Sequence, residues 1–342
     1  MANTSLNKSP LGPRLGSALA LFAVALPACS GKPAPAPGQP AGPFSAVEAT
    51  VNAPGSFTQP RAGVPLPDGS IAFLAMVEGL PETETKVSGQ RVAVFKQTKG
   101  GAPAVLYQGD KLVNPLDIDA SLDGMTLYIA DPSAGAEGTG AILTLASAGG
   151  EPAELISGWA PRGVTVSASG AVYFSGIDQD SGEPGVFIAA AGTASPVFVG
   201  APLTDPSGIA VLENAGVLVA DTSLFDRKPE GAPRPDNEAG VVQISDGKAS
   251  VFATGFATGY PAGIALTTDE KTLIISGEGP DRSDSVYLVD MANPKATPTI
   301  VTSSFSAFQD SSAGLKRAHD SNTFIWASLS ANGGTVYTIR GQ

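Results

Sequence analysis

The sequence predicts an all-β fold, a six-bladed β-propeller of four-stranded blades. Three observations carry that prediction. A turn-strand-turn-strand unit recurs six times, seen best in "PRGVTVSASGAVYFSG", "PSGIAVLENAGVLVAD", "PAGIALTTDEKTLIISG" and "PLDIDASLDGMTLYIAD". Its shared position falls at Gly63, Asp117, Gly163, Gly208, Gly263 and Gly314, at spacings of 54, 46, 45, 55 and 51 residues. A period near 50 residues is that of propeller blades. Composition agrees: 41 glycines, 29 prolines and only 15% charged residues suit many short strands joined by turns.

The two more divergent copies are "RAGVPLPDGSIAFLAM" and "SAGLKRAHDSNTFIWAS". A third strand follows each unit: "QRVAVFKQ", "GAILTLAS", "PGVFIAAA", "AGVVQISD", "DSVYLVDM" and "GTVYTIRG". A fourth follows five of them, and the sixth unit reaches Gln342 without one. The missing strand is expected from "FSAVEATVN", Phe44 to Asn52, which would complete the last blade and close the ring without a long open edge. Both alternations of strands such as "GVLVAD" and "TLIIS" are apolar, as sheets packed face to face on both sides require. Asp-Gly and Ser-Gly turns ("PDG", "SLDG", "SASG") supply the hairpin chemistry between the first two strands. The propeller is expected to span residues 44–342 as one domain.

Residues 1–28 read as an export signal. Lys8 and Arg14 form its positive region, and "LGSALALFAVALPA" is an apolar segment too short to span a bilayer. It ends at "LPAC", where Cys29 is the only cysteine in the chain. This resembles the lipobox of bacterial lipoproteins, which implies cleavage before Cys29 and its lipidation, palmitate included. Residues 29–43, "CSGKPAPAPGQPAGP", then form a semi-rigid Pro/Ala/Gly tether. Ser30 stands where a retention Asp would hold a lipoprotein in the inner membrane, so the resemblance implies the outer membrane of a Gram-negative cell. Loss of Lys8 and Arg14 takes the formal charge from −12 to −14. No Lys/Arg cluster offers a footprint for nucleic acid.

The blade units resemble the NHL-repeat and gluconolactonase-like (senescence-marker-protein-like) propellers, with "P-x-G-I-A-V" starting the inner strand and "Y-I-A-D" or "V-A-D" closing the second. For the metal-dependent members, the resemblance implies a divalent cation held by Asn and Asp just before the inner-strand glycine, and by a Glu from an early blade. Oxygen ligands are needed there because a hard cation must polarise a carbonyl or activate water. In this sequence those slots hold Ala62, Leu116, Arg162, Ser207, Ala262 and Ala313, with Asp117 one position later. The lone histidine, His319, sits in the turn of the last blade, away from the strand-start mouth.

The expected function is therefore a membrane-tethered, non-catalytic binding or scaffold propeller without a cofactor. Its partner would be a periplasmic or surface protein or a glycan, met on the face with the long loops "MVEGLPETETKVSG" and "DTSLFDRKPEGAPRPDNE". Trp159, Arg162, Tyr260 and Asp131 are the candidate ligand contacts. Trp159 and Tyr260 equally suit packing between blades, and Asp131 and Asp221 equally suit turn capping. The alternative is a divergent lactonase or hydrolase with a relocated metal site, for which Asp117, Arg162, Asp221 and Glu278 are the candidates. Asp178, Asp180 and Glu183, in "GIDQDSGEPG", form a partial calcium-loop pattern.

Overall fold

The computed structural model describes residues 44–51, 57–77, 92–214, 216–224, 239–279, 284–301, 308–330 and 334–341. Residues 1–43, with the expected signal, Cys29 and tether, and residues 78–91 and 225–238 lie outside them.

The apolar runs form strands that their Gly turns fold into six antiparallel four-stranded sheets. The chain opens with β1 (Phe44–Val51). Blade 1 is β2 (Phe57–Pro65), β3 (Ile71–Val77), β4 (Val92–Gln97) and β5 (Ala104–Gln108). Blade 2 is β6 (Asp117–Ala120), β7 (Thr126–Asp131), β8 (Ala141–Ala146) and β9 (Ala153–Ser157). Blade 3 is β10 (Gly163–Val166), β11 (Val172–Ile177), β12 (Pro184–Ala190) and β13 (Thr193–Val199). Blade 4 is β14 (Pro206–Val211), β15 (Val217–Asp221), β16 (Ala239–Ser245) and β17 (Lys248–Phe256). Blade 5 is β18 (Ile264–Leu266), β19 (Thr272–Glu278), β20 (Asp284–Asp290) and β21 (Thr299–Val301). Blade 6 is β22 (Phe308–Arg317), β23 (Thr323–Ser330) and β24 (Thr335–Gly341), completed by β1.

That last pairing is the closure expected from the sequence: β1 runs antiparallel to β24, with Val47 opposite Ile339 and Thr50 opposite Val336. The first strand of each blade touches the first strand of the next in an unbroken circle, from β2 round to β22 and back to β2. The ring lies within the unit Pro35–Gln342.

Six hydrophobic clusters hold it, one between each pair of neighbouring blades. Blades 2 and 3 show the pattern: Ile142 and Ile156 from one pack on Val164, Val166, Val172 and Phe174 from the other. Phe174 is fully buried and stacks on Phe187 at 5.2 Å. Burying a side chain of that size stabilises by about 1.5–3 kcal/mol.

The recurring glycine has a steric cause. A Cβ at Gly163 would overlap the carbonyl of Ser207 in the next blade, and one at Gly208 would overlap that of Ala262. The inner strands approach too closely for any side chain at these registers. Blade 2 alone departs from the rule, with Asp117.

Candidate functional site

Successive side chains of a strand point to opposite faces, so the shared position and the residue two later share one side of each inner strand. On four blades these pairs are small: Gly63 and Pro65, Gly163 and Thr165, Gly208 and Ala210, Gly263 and Ala265. Blade 2 instead brings Asp117 and Asp119, and blade 6 brings Lys316 after Gly314.

These charges meet inside the ring. The Lys316 ammonium donates to the Asp117 carboxylate at 2.7 Å and to the Val164 carbonyl at 2.6 Å. Lys316 therefore joins blade 6 to blades 2 and 3, none of which adjoins it, by reaching across the channel. Asp117 is 2% exposed and Lys316 4%. The carboxylate also accepts from the Ile118 and Val164 amides, at 2.9 and 3.0 Å. Burial pushes the Asp117 carboxyl above the usual carboxylate range, against the pull of the Lys316 ammonium. The pair is a buried tie across the channel, joined to blade 3 through the Val164 amide and carbonyl.

Below the tie, where the turns between first and second strands lie, Asp119 accepts from the Thr165 hydroxyl at 3.0 Å and from the amides of Val166 and Ala120 at 2.9 and 2.8 Å. His319 is half-buried and donates through Nε2 to the Ala120 carbonyl at 2.9 Å, which ties the last blade's turn to blade 2. Arg317 donates from Nη1 to the carbonyls of Ala318, His319 and Ser321.

The opposite, upper face, where the inner strands begin, carries most of the sequence-derived candidates. Asp131 is fully buried, and its carboxylate accepts from the amides of Val113, Asn114, Ser133 and Ala134 at 2.7 to 3.0 Å. Burial raises its carboxyl even so, with those four amides pulling the other way. Asp221 plays the same part in blade 4, accepting from the amides of Thr204, Asp205 and Ser223. Both close the turn that leads into their own blade's inner strand. Trp159 is half-buried against Phe187, with ring centroids 4.9 Å apart, and its carbonyl accepts from the Ile177 amide.

Arg162 pairs with Asp205 of the next blade, and its guanidinium carbon lies 5.9 Å from the centroid of Tyr260, two blades on. Tyr260 is 40% exposed. In the same loops, one residue before Asp205 and two before Tyr260, the buried hydroxyl oxygens of Thr204 and Thr258 have no hydrogen-bond partner among the described residues. Glu278 ends β19, where its amide donates to the Ala257 carbonyl and its own carbonyl accepts from the Tyr287 hydroxyl. The structure thus brings Arg162 and Tyr260 together. It does not bring Asp117, Arg162, Asp221 and Glu278 into one cluster: Asp117 pairs with Lys316 in the channel, Arg162 with Asp205, and Asp221 holds a turn.

The residues at the strand-start slots do not fit a divalent cation. Ala62, Leu116 and Ala262 are buried apolar groups, and Arg162 is itself a cation. The Ser207 hydroxyl is taken by the Ala262 amide at 3.1 Å. Among the described residues, no group of three or more His, Cys, Asp or Glu side chains converges as a metal-binding set. Asp178 accepts from the amide and hydroxyl of Ser181 at 2.9 and 2.7 Å, while its amide donates to the Glu183 carbonyl. The Ser181 hydroxyl lowers the Asp178 carboxyl, and Asp180 is exposed in the same turn.

Sequence reasoning missed Lys316, Asp119 and Asp205. The first two carried a readable signal: in the aligned units they stand two residues after the shared position, where the other blades have Pro, Thr or Ala. Asp205 carried none, because its partner Arg162 belongs to another blade.

No family model matches the chain, and no curated protein matches it. Its fold does match solved structures. A gluconolactonase from Xanthomonas campestris superposes with a TM-score of 0.56 at 12% identity, covering 90% of this chain and 99% of that one. The PQQ domain of pyranose dehydrogenase from Coprinopsis cinerea gives 0.57 at 12% identity, with 90% and 99% coverage. A chain of a nidogen/laminin complex gives 0.54 at 14% identity, covering 76% of this chain and 84% of that one. At such identities the likeness concerns the fold alone. The chain is a six-bladed β-propeller whose structural neighbours include gluconolactonases.

Proposed function

We propose that this chain is a non-catalytic binding propeller of the cell envelope, tethered through lipidated Cys29 and the Pro/Ala/Gly segment, that takes a protein or glycan ligand on its upper face. One observation carries the reading. The upper-face carboxylates that a hydrolytic metal would need are committed to the protein itself: Asp131 and Asp221 to backbone amides, and Asp205 to Arg162. The same face presents an exposed aromatic ring beside a guanidinium. Aromatic and Arg side chains are the usual anchors of binding surfaces. The nidogen/laminin neighbour supports the reading, since that fold match comes from a complex between proteins.

The test is affinity capture from envelope extracts with the wild-type chain, Tyr260→Ala, and a deletion of residues 225–235. The proposal expects both variants to keep the wild-type unfolding transition and to lose the captured ligand. Equal recovery by all three chains would place the binding surface elsewhere. The lactonase alternative draws on the fold likeness alone.

A further inference from the structure

The inner strands leave backbone donors open at one level of the lower mouth. In every blade the residue that starts the first hairpin turn donates its amide to the second strand: Leu66, Ser121, Ser167, Leu212, Thr267 and Ala318. Amides of adjacent strand residues point to opposite edges, so the residue before each turn aims its amide at the channel. Those residues are Pro65, Ala120, Val166, Val211, Leu266 and Arg317. Pro65 has no N–H, and Asp119 accepts from both Ala120 and Val166, at 2.8 and 2.9 Å. On the next three blades the place of Asp119 is taken by Thr165, whose hydroxyl is turned to Asp119, and by Ala210 and Ala265. Among the described residues, no side chain accepts from the Val211, Leu266 or Arg317 amide. One step lower the amides are met again, Glu213 by the Glu270 carboxylate at 2.7 Å and Thr268 by the Asn322 carboxamide at 2.8 Å.

Val211, Leu266 and Arg317 all line a cavity of about 280 Å³, walled by blades 2 to 6, near the lower end of small-molecule sites. Backbone donors inside a folded chain are nearly always met by an acceptor, so the occupant must supply oxygen. It need not supply charge, because the charged groups on the wall are engaged within the ring. Lys316 pairs with Asp117, Asp119 holds Thr165 and two amides, Arg317 donates to three carbonyls, and Glu270 accepts from the Glu213 amide. Carboxylates outnumber cations there, and Glu213 stands exposed at the rim, so a further anion is repelled. We propose that this cavity binds a small uncharged polyol, whose hydroxyl oxygens accept from the Val211, Leu266 and Arg317 amides while an outer hydroxyl donates at the Glu213 rim. The assignment is independent of the upper-face reading, and either can fail alone.

Calorimetric titration of the full chain tests it with three six-carbon probes: sorbitol, gluconate (one added negative charge) and hexane-1,6-diol (no inner hydroxyls). Sorbitol is expected to bind saturably, and the other two at least about tenfold more weakly, gluconate through repulsion and the diol through lost acceptors. In amide NMR spectra, sorbitol should shift Val211, Leu266 and Arg317 and leave Val166, already held by Asp119, in place. Ala210→Asp copies Asp119 into blade 4 and gives the Leu266 amide an internal acceptor, so sorbitol binding should weaken at least about tenfold. If that variant does not fold, the amide shifts of the unaltered chain decide. A cavity that holds only water would show no sorbitol binding. That result, equal binding of either other probe, shifts that spare the three amides, or undiminished binding by a folded Ala210→Asp chain would overturn the proposal.

Discussion

Lys316 and Asp117 form a buried ion pair across the channel, with nitrogen and oxygen 2.7 Å apart and each residue less than a twentieth exposed. With the Val164 carbonyl, which the Lys316 ammonium also meets, the pair links blade 6 to blades 2 and 3 across the ring. Its energetics follow from burial. Two desolvated charges recover their solvation cost only through each other, so the pair matters most when one half is removed.

Replacing Lys316 by Met is accordingly expected to destabilise the ring by about 3–5 kcal/mol, because Asp117 stays buried without its counter-charge. The double variant Lys316→Met with Asp117→Asn should recover much of that loss. Urea denaturation of both singles and the double gives the cycle. Additive losses would mean that the two side chains are not coupled.

The close approach of inner strands predicts a ranking among glycines. Gly208→Ala drives a methyl group into the Ala262 backbone, whereas Gly63→Ala first meets the γ-methyl branch of the Ile325 side chain. Overpacking of this kind costs about 1–3 kcal/mol or more, least where a side chain can give way. Gly208→Ala should therefore lower the unfolding midpoint further than Gly63→Ala. The reverse order would contradict the packing account of the repeated glycine.

Asp131 and Asp221 do the same work in two blades and accept from different amides. Removing either carboxylate by substitution with Ala leaves several amides without an acceptor, at about 1–3 kcal/mol. The double variant should lose the sum, as independent sites do. If instead either change left stability untouched and abolished ligand capture, its role would be recognition rather than turn closure.

At the lower rim, Asp269 accepts from the Thr267 hydroxyl and the Lys271 amide, which hold its carboxyl down at about 2. The folded value lies below the unfolded one, near 3.9. Its contribution to stability is thus present above the unfolded value and is lost as pH falls towards 2. An NMR titration should place the Asp269 carboxyl near that low value and show it rising in Thr267→Ala. An unchanged titration in the variant would remove the hydroxyl as the cause.

The architecture was legible because it is written in short-range chemistry repeated six times. The turn, glycine and strand of Pro161-Arg162-Gly163-Val164 recur in register, and the unpaired β1 could be assigned by counting strands. The site was less legible because its contacts cross between repeats. Lys316 meets Asp117 across the channel, and Arg162 meets Asp205 and Tyr260 in the two blades that follow. Alignment of the units reveals that Asp119 and Lys316 are the odd members of their column, but only closure of the ring shows that the charge at Lys316 faces Asp117. The turn-closing part of Asp131 and Asp221 was open to sequence reasoning, as an Asp that ends a second strand, though their several amide donors emerge only in three dimensions.

The central claim is that the ring binds rather than hydrolyses. The measurement that tests it most directly is the rate of aldonolactone opening by the purified chain, with calcium, magnesium, manganese or zinc each added in turn. The account predicts the spontaneous rate in every case. Turnover above that rate with any of the four cations, reduced by Asp117→Asn, would contradict it.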